Sequence, residues 1–405
     1  MSEATFPPVP RVRPQGIRPM RWLLARLLSR VVAGEITVML PDGQMRHGAG
    51  RSPGPRASVV LHRWRAVRRL VLGGDTGFAE AFIDGDWSTP DLPALLCFGA
   101  VNQDAIGVDG SRAVRLLRRL GHRRRANTCA GSRRNIPAHY DIGNEFYAAW
   151  LDAGMTYSAA LFTHPGQRLE AAQDCKLDAV IAALDLTGRE RVLEIGCGWG
   201  SLAERIAARA RHVTGLTLSP AQLNYANARL DDAGLGARAE LRLQDYREVA
   251  GQFDRIVSVE MLEAVGEAYW PEFFGRIAAC LAPGGVAVLQ FISIADARFA
   301  AYRDGVDFIQ KHIFPGGMLP SVPVLHAVTA RAGLTMQAVR TFAPGYAATL
   351  AHWRTRLHAA WPALRGQGFD ERFRRKWEYY LAYCEAGFHT GLLDVGIYRL
   401  RHATG

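Results

Sequence analysis

Residues 192–200 read VLEIGCGWG, and the fold of the chain turns on that stretch. An apolar β-type run, Arg191 to Ile195, ends in alternating glycines and passes directly into SLAERIAARA, whose apolar spacing is helical. The pattern is a strand, a tight turn and a helix N-terminus. Glycine at 196, 198 and 200 lets the chain turn sharply and lets a ligand lie against bare main chain. A helix opening at Gly200 offers unpaired N–H groups and the positive end of its dipole to a carboxylate. The spacing Glu-x-Gly-x-Gly-x-Gly lacks the G-x-G-x-x-G rhythm and the distant acidic partner of a dinucleotide site.

Downstream, β and α patterns alternate. Strands are expected at His212 to Leu216, Glu240 to Gln244, Asp254 to Val259 and Val286 to Ile292, with helices at Ser201 to Ala210, Ala221 to Asp231 and Trp270 to Leu281. This rhythm predicts an α/β fold, a doubly wound, Rossmann-like parallel sheet whose ligand lies at the carboxyl ends of the strands. The glycine turn resembles motif I of the class I S-adenosylmethionine (AdoMet) methyltransferases. That likeness implies that Gly196 and Gly198 face the methionine part of the cofactor, with Glu194, Cys197, Trp199 and Gly200 around them.

The other strand ends suit the same ligand. After the second strand, Thr217, Leu218 and Gln222 replace the acid that usually grips a ribose, while Ser219-Pro220 reads as a helix N-cap with proline at the first helical position. After the third, Asp245 offers a carboxylate to an adenine amino group and Tyr246 a ring to the base. After the fourth, Glu260 and Glu263 both follow a mostly apolar strand. An unpaired buried carboxylate costs several kcal/mol, so one of them needs a specific partner. The Asn/Asp-Pro-Pro-aromatic segment of base-amino methyltransferases is missing there.

The rest of the chain reads as follows. Residues 1–17 are a Pro- and Arg-rich flexible arm, and 18–110 form a smaller α+β domain for lipid binding or positioning. Residues 111–134 form a basic linker, and the large domain spans 135–405. Trp22, Leu23, Leu27 and Val31 share one face of an amphipathic helix. Strands follow at Glu35 to Leu40 and Ala57 to Leu61, with a Pro41-Asp42-Gly43 turn between them. A net charge of +11, carried almost wholly by arginine, suits a phosphate-bearing partner such as an anionic membrane surface. Nucleic acid is not expected, because no reading motif accompanies the charge. Six scattered cysteines without a C-x-x-C pair point to a reduced compartment and no structural metal. Trp22 to Val32 is interrupted by Arg26 and Arg30, so neither a signal peptide nor a span of some 18 apolar residues is expected. The expected location is cytoplasmic and peripherally membrane-associated.

Seven segments together resemble one family, the cyclopropane-fatty-acid synthases and mycolic acid methyltransferases. They are HYDIGNEFYAAWLDAGMTYSAALF (139–162), VLEIGCGWG, GLTLSPAQ, RIVSVEMLEAVGEAYWPEFF, FIQKHIFPGGMLPS (308–321), GYAATLAHW and YYLAYCEAGF. The resemblance implies transfer of the AdoMet methyl to the double bond of an unsaturated fatty acyl chain, usually in a phospholipid. It also places Tyr157 and Ser158 beside the cofactor. An alkene is a weak nucleophile, so the site must align it, exclude water and shelter a carbocation. Tyr157, Phe162, Phe291, Tyr302, Phe308 and Tyr346 are candidates to face that cation. A bound bicarbonate then serves as base, held in this chain by Glu263, the backbone of Ile292, and Tyr346.

Two positions depart from the family pattern: Ala159 stands for Cys and Gln290 for His, although a main-chain N–H and an amide still donate there. Ala264, where mycolic acid enzymes have His, departs in the same way. These departures bear on the product, a cyclopropane or a methylene branch. Cys384 matches a late family cysteine once proposed as catalytic. Two other classes share parts of the pattern: a small-molecule amine N-methyltransferase, and a non-catalytic lipid-binding protein with a vestigial AdoMet fold. A homodimer is compatible with either.

Overall fold

The computed structural model describes residues 17–107 and 142–403. The Pro/Arg-rich arm up to residue 16, the basic run 111–134 and His139 lie outside the described residues. The chain divides into two compact units. One gathers the N-terminal part with Gly305–Phe308 and Trp361–Thr390; the other holds the described residues from 142 to 304, Ile309–Ala360 and those from Gly391 onward. The division is therefore discontinuous, and the segment 361–390 groups with the smaller unit instead of with the 135–405 domain expected from the sequence.

In the smaller unit, β1 (Ala33–Met39), β2 (Met45–Ala49), β3 (Ser52–Leu61) and β4 (Trp87–Ser88) form a sheet in the order β2-β1-β3-β4. Gly43, at φ +84°, closes the β1–β2 hairpin. Strand β2 has no sequence signature because it is a short, exposed edge, Met-Arg-His-Gly-Ala, with no apolar alternation. The segment around Asp86 folds as a knot of charge: Asp86 is buried and accepts from Arg65 through Nε at 2.8 Å and a terminal nitrogen at 2.7 Å, with Arg63 and Arg69 both at 3.4 Å. Trp87 stacks on Phe78 at 4.2 Å, and its indole N–H donates to the Phe78 carbonyl. In the helix Ile17–Leu28, Leu24 is the buried residue, whereas Trp22 is 59% exposed with Arg26 over its ring at 5.4 Å. Trp22 is thus the exposed member of the apolar face read from spacing.

In the larger unit, β5 (Arg191–Ile195), β6 (His212–Thr217), β7 (Ala239–Leu243), β8 (Phe253–Val259), β9 (Leu281–Ile294), β10 (Leu334–Thr341) and β11 (Leu393–His402) order as β10-β11-β9-β8-β5-β6-β7. Strands β9 to β7 run parallel, and β11 joins β9 and β10 antiparallel. This is the doubly wound α/β sheet expected, with two strands added at one edge, of which β11 alone runs opposite to the rest. Strand β5 is nearly all buried, which explains its uninterrupted apolar run. It sits between β6 and β8, where the winding reverses, so its carboxyl end opens a crevice. Aromatic side chains of the helix Trp270–Cys280, among them Phe273 and Phe274, fill the core against this sheet. No helix among the described residues is long and apolar enough to cross a membrane.

Candidate active site

A cavity of about 180 Å³ opens at the carboxyl ends of β5, β6, β7 and β8. Of the residues read as cofactor-binding, Tyr157, Ser158, Glu194, Gly196, Cys197, Gly198, Trp199, Thr217, Leu218, Gln222, Asp245 and Tyr246 all line it, and only Gly200 does not. The turn after β5 works as its glycines demand. Gly196 and Gly198 adopt φ +86° and +52°, and nothing lies within 4 Å of where a side chain on Gly198 would begin. Gly200, at φ +84°, has a structural task, since a Cβ there would stand 2.9 Å from that of Ala226. The helix it opens, Ser201–Ala207, is a short one.

Around the turn the polar groups are differently engaged. Glu194 is buried, with its Oε2 unpartnered, and removal from water raises its pKa to about 8. The Thr217 hydroxyl donates to Gln222 Oε1 at 3.0 Å, and Ser219 caps the helix Pro220–Asp232 as expected. Asp245 lines the cavity and is held there by Arg247, whose Nε stands 2.9 Å from one carboxylate oxygen and a terminal nitrogen 2.7 Å from the other, a buried ion pair that fixes the carboxylate and leaves it lone pairs to accept with. The Tyr246 ring packs edge-on against Phe273 at 5.2 Å. The Cys197 side chain is buried beside Gly215, and burial pushes its thiol well above the ordinary range, which suits a structural role. An open glycine turn, a buried acid with an unused oxygen and an aromatic wall fit AdoMet.

Three of the six residues assigned to catalysis are arranged around a side chain that the sequence reading did not include among them. Glu260 lines the cavity. Its Oε1 accepts from the Ala159 N–H and from Gln290 Nε2, both at 2.8 Å, and its Oε2 accepts from the Tyr346 hydroxyl at 2.6 Å. Three of the groups assigned to bicarbonate therefore bind a glutamate of the chain itself, and the residues present do not fit a separate bicarbonate there. Glu263 accepts from the Ile292 N–H, and its buried Oε2 has no partner. Enclosure, and then the charge of Glu260, raise its pKa to about 8. Ala159, Glu263, Gln290, Ile292 and Tyr346 do not themselves line the cavity. Cys384 lies on the helix Glu371–His389, in the smaller unit, and is not part of the lining.

Lys176 was also missed, because a single lysine in a helical pattern reads as surface. It is buried on the helix Leu169–Leu184, donates from Nζ to Ser158 Oγ at 2.8 Å, and has a pKa lowered by burial to about 8, against the pull of Glu260, Asp152 and Glu194. Among the aromatic candidates only Tyr157 lines the cavity. Its ring lies 5.5 Å from Tyr147, 5.6 Å from Trp150 and 5.3 Å from Trp353, and Trp353 in turn meets Tyr346 edge-on at 6.2 Å. Phe291 instead stacks on Tyr398 at 4.3 Å within the core.

Known proteins resemble the chain over both units. The family described as mycolic acid cyclopropane synthetase matches residues 128–397. The tuberculostearic acid methyltransferase of Mycobacterium tuberculosis is 41% identical over 355 residues, 84% of this chain and 82% of that protein. The cyclopropane-fatty-acyl-phospholipid synthase of Escherichia coli is 34% identical over 350 residues, 84% of this chain and 85% of that one. Among solved structures, the cyclopropane synthase MmaA2 from Mycobacterium tuberculosis superposes with a TM-score of 0.60 at 30% identity, over 66% of this chain and 97% of that chain. With that family match and these relatives, the chain belongs to the mycolic acid cyclopropane synthetase family, the group its seven segments resemble.

Proposed function

We propose that this protein is an AdoMet-dependent C-methyltransferase that acts on the double bond of an unsaturated fatty acyl chain, carried in a phospholipid, and yields a cyclopropane or a methylene-branched chain. The observation that carries the reading is the coincidence, in one cavity, of the β5 glycine turn with the aromatic wall around Tyr157 and the carboxylate of Glu260. Relatives named for tuberculostearic acid and for cyclopropane-fatty-acyl-phospholipid support the lipid substrate. Bound here, AdoMet supplies an electrophilic methyl carbon to the alkene π electrons, the C–S bond pair staying with sulfur.

The chain does the rest. The glycine turn and Glu194 hold the donor, and Tyr157 and Trp199 keep water from the cationic acyl carbon while presenting ring faces to it. The smaller unit positions the lipid. The exposed Trp22 and the arginines of the helix Ile17–Leu28 support contact with an anionic membrane surface.

The test is mass spectrometry of total fatty acids from a bacterium expressing the chain and fed labelled methionine. A gain of one labelled CH₂ on unsaturated chains is expected, and fragmentation after derivatisation separates ring from branch. Labelled amines with unlabelled lipids would instead make the protein an amine N-methyltransferase. No labelled product at all would favour the non-catalytic lipid-binding class.

A further inference from the structure

Glu260 is the residue just past β8, and its backbone sits at φ +50°, where a side chain costs about 1–2 kcal/mol. Its N–H donates to the Gln290 carbonyl at 2.7 Å, which fixes the strained turn. The strain aims a carboxylate at three donors brought from far apart in the chain: the Ala159 main chain, Gln290 on β9, and Tyr346 on the helix Ala343–Gly366. Oxygen-to-donor distances of 2.6–2.8 Å are those of charge-assisted hydrogen bonds.

A bicarbonate would need the same donors, because it too is a planar anion that presents a carboxylate-like O–C–O edge. It would also place a second anion beside an ionised one in a poorly hydrated site. Only Glu260, of this cluster, lines the cavity in which the cofactor residues also stand. Enclosure raises the pKa of Glu260, while the hydrogen bonds from Tyr346, Ala159 and Gln290 and the nearby Lys176 ammonium favour its anion.

We infer that Glu260 is the catalytic base of this enzyme, a carboxylate built into the chain in place of bicarbonate. The inference rests on the methyl transfer proposed above. The step is a proton transfer. The cationic acyl chain loses a proton from its newly added methyl carbon, and the released C–H pair closes the third bond of a cyclopropane. Alternatively, after a 1,2-hydride shift moves the cation to the methyl-bearing carbon, the pair becomes the C=CH₂ bond of a methylene branch. The proton goes to the Glu260 carboxylate, which becomes a neutral acid and passes it to water when product leaves. No oxidant, reductant or further reactant is needed.

The experiment compares the full-length wild type with Glu260→Ala and Glu260→Gln in CO₂-free buffer, with and without millimolar bicarbonate. The substrate is vesicles of dioleoyl phospholipid. Binding of ¹³C-bicarbonate is followed by NMR without lipid, and AdoMet affinity by calorimetry. The wild type should turn over within twofold of the same rate with or without bicarbonate, and should bind none. Glu260→Ala should lose about 100-fold or more in CO₂-free buffer, bind ¹³C-bicarbonate in the space vacated, and recover at least tenfold when it is added. Glu260→Gln, which fills the space but cannot take a proton, should stay inactive in both buffers. AdoMet affinity should stay within about threefold throughout.

A wild type that binds or requires bicarbonate overturns the inference, even if neither variant folds. So does Glu260→Gln at more than a tenth of wild-type rate, or a Glu260→Ala loss of rate matched by an equal loss of AdoMet affinity, the mark of a purely structural role. If the wild type methylates no lipid in any buffer, the proposed function fails. The contrast in bicarbonate binding between wild type and Glu260→Ala then still decides which group occupies the site.

Discussion

Glu263 holds its proton to about pH 8 in the folded protein, whereas an unfolded chain releases it near about 4.3. Between those values the folded state binds more protons, so this residue makes stability fall as pH rises from about 5 to 8. Glu263→Gln removes that dependence and keeps the oxygen that accepts from the Ile292 N–H. Relative to wild type, the variant should gain stability between pH 5 and pH 8, by roughly 1.4 kcal/mol for each pKa unit of the shift. Urea unfolding at the two pH values measures it, and an equal difference at both would mean that Glu263 is already ionised in the fold. AdoMet affinity should stay within about threefold, because Glu263 does not line the cavity. At this scale the sequence was half legible. Two acids just past an apolar strand signal that one has a specific partner, but Glu260 and Glu263 are three residues apart in one short loop, and nothing local says which carboxylate meets donors arriving from residues 159, 290 and 346.

The strand, turn and helix around β5 act as one element, and its glycines have different tasks. Gly200 carries both a positive φ and a close approach to Ala226 on the helix Pro220–Asp232, so Gly200→Ala should cost about 1–3 kcal/mol and lower the melting temperature by several degrees. Gly198 has open space beside it, so Gly198→Ala should cost only the φ penalty, about 1–2 kcal/mol, yet weaken AdoMet binding more because it faces the cavity. Thermal unfolding and calorimetry on both variants test the split, and the reverse ranking would show that the tasks have been exchanged. Strands β5, β6 and β8, and the stretch Val286 to Ile292 of the longer β9, were legible because they are largely buried and read as short apolar runs. Strands β10 and β11 were not anticipated; β10 in particular is largely exposed and carries little pattern. Asp245 lines the cavity from its strand end, and Arg247 folds back on it two residues later, a pairing that spacing alone does not reveal.

For the whole molecule, a net charge of +11 and an exposed Trp22 lead to a prediction about surfaces. The protein should sediment with vesicles rich in anionic phospholipid and much less with neutral ones, and raising salt from 0.05 to 0.5 M should reduce the bound fraction severalfold by screening. Trp22→Ser should weaken the anionic binding as well. Equal binding to neutral vesicles at high salt would remove the electrostatic account. What the sequence determined alone is what depends on near neighbours: the alternation of β and α units, the glycine turn, the N-cap at Ser219 and the strand-end residues that line the cavity. These follow from the period of apolar residues and from strand ends, which a parallel sheet collects at one edge. Only the tertiary structure decided that residues 361–390 join the smaller unit, that Lys176 is buried, and that Glu260 receives the donors expected to hold bicarbonate. Such choices depend on which distant groups reach hydrogen-bonding distance in a space shut off from water. An unfolded chain carries no trace of that competition.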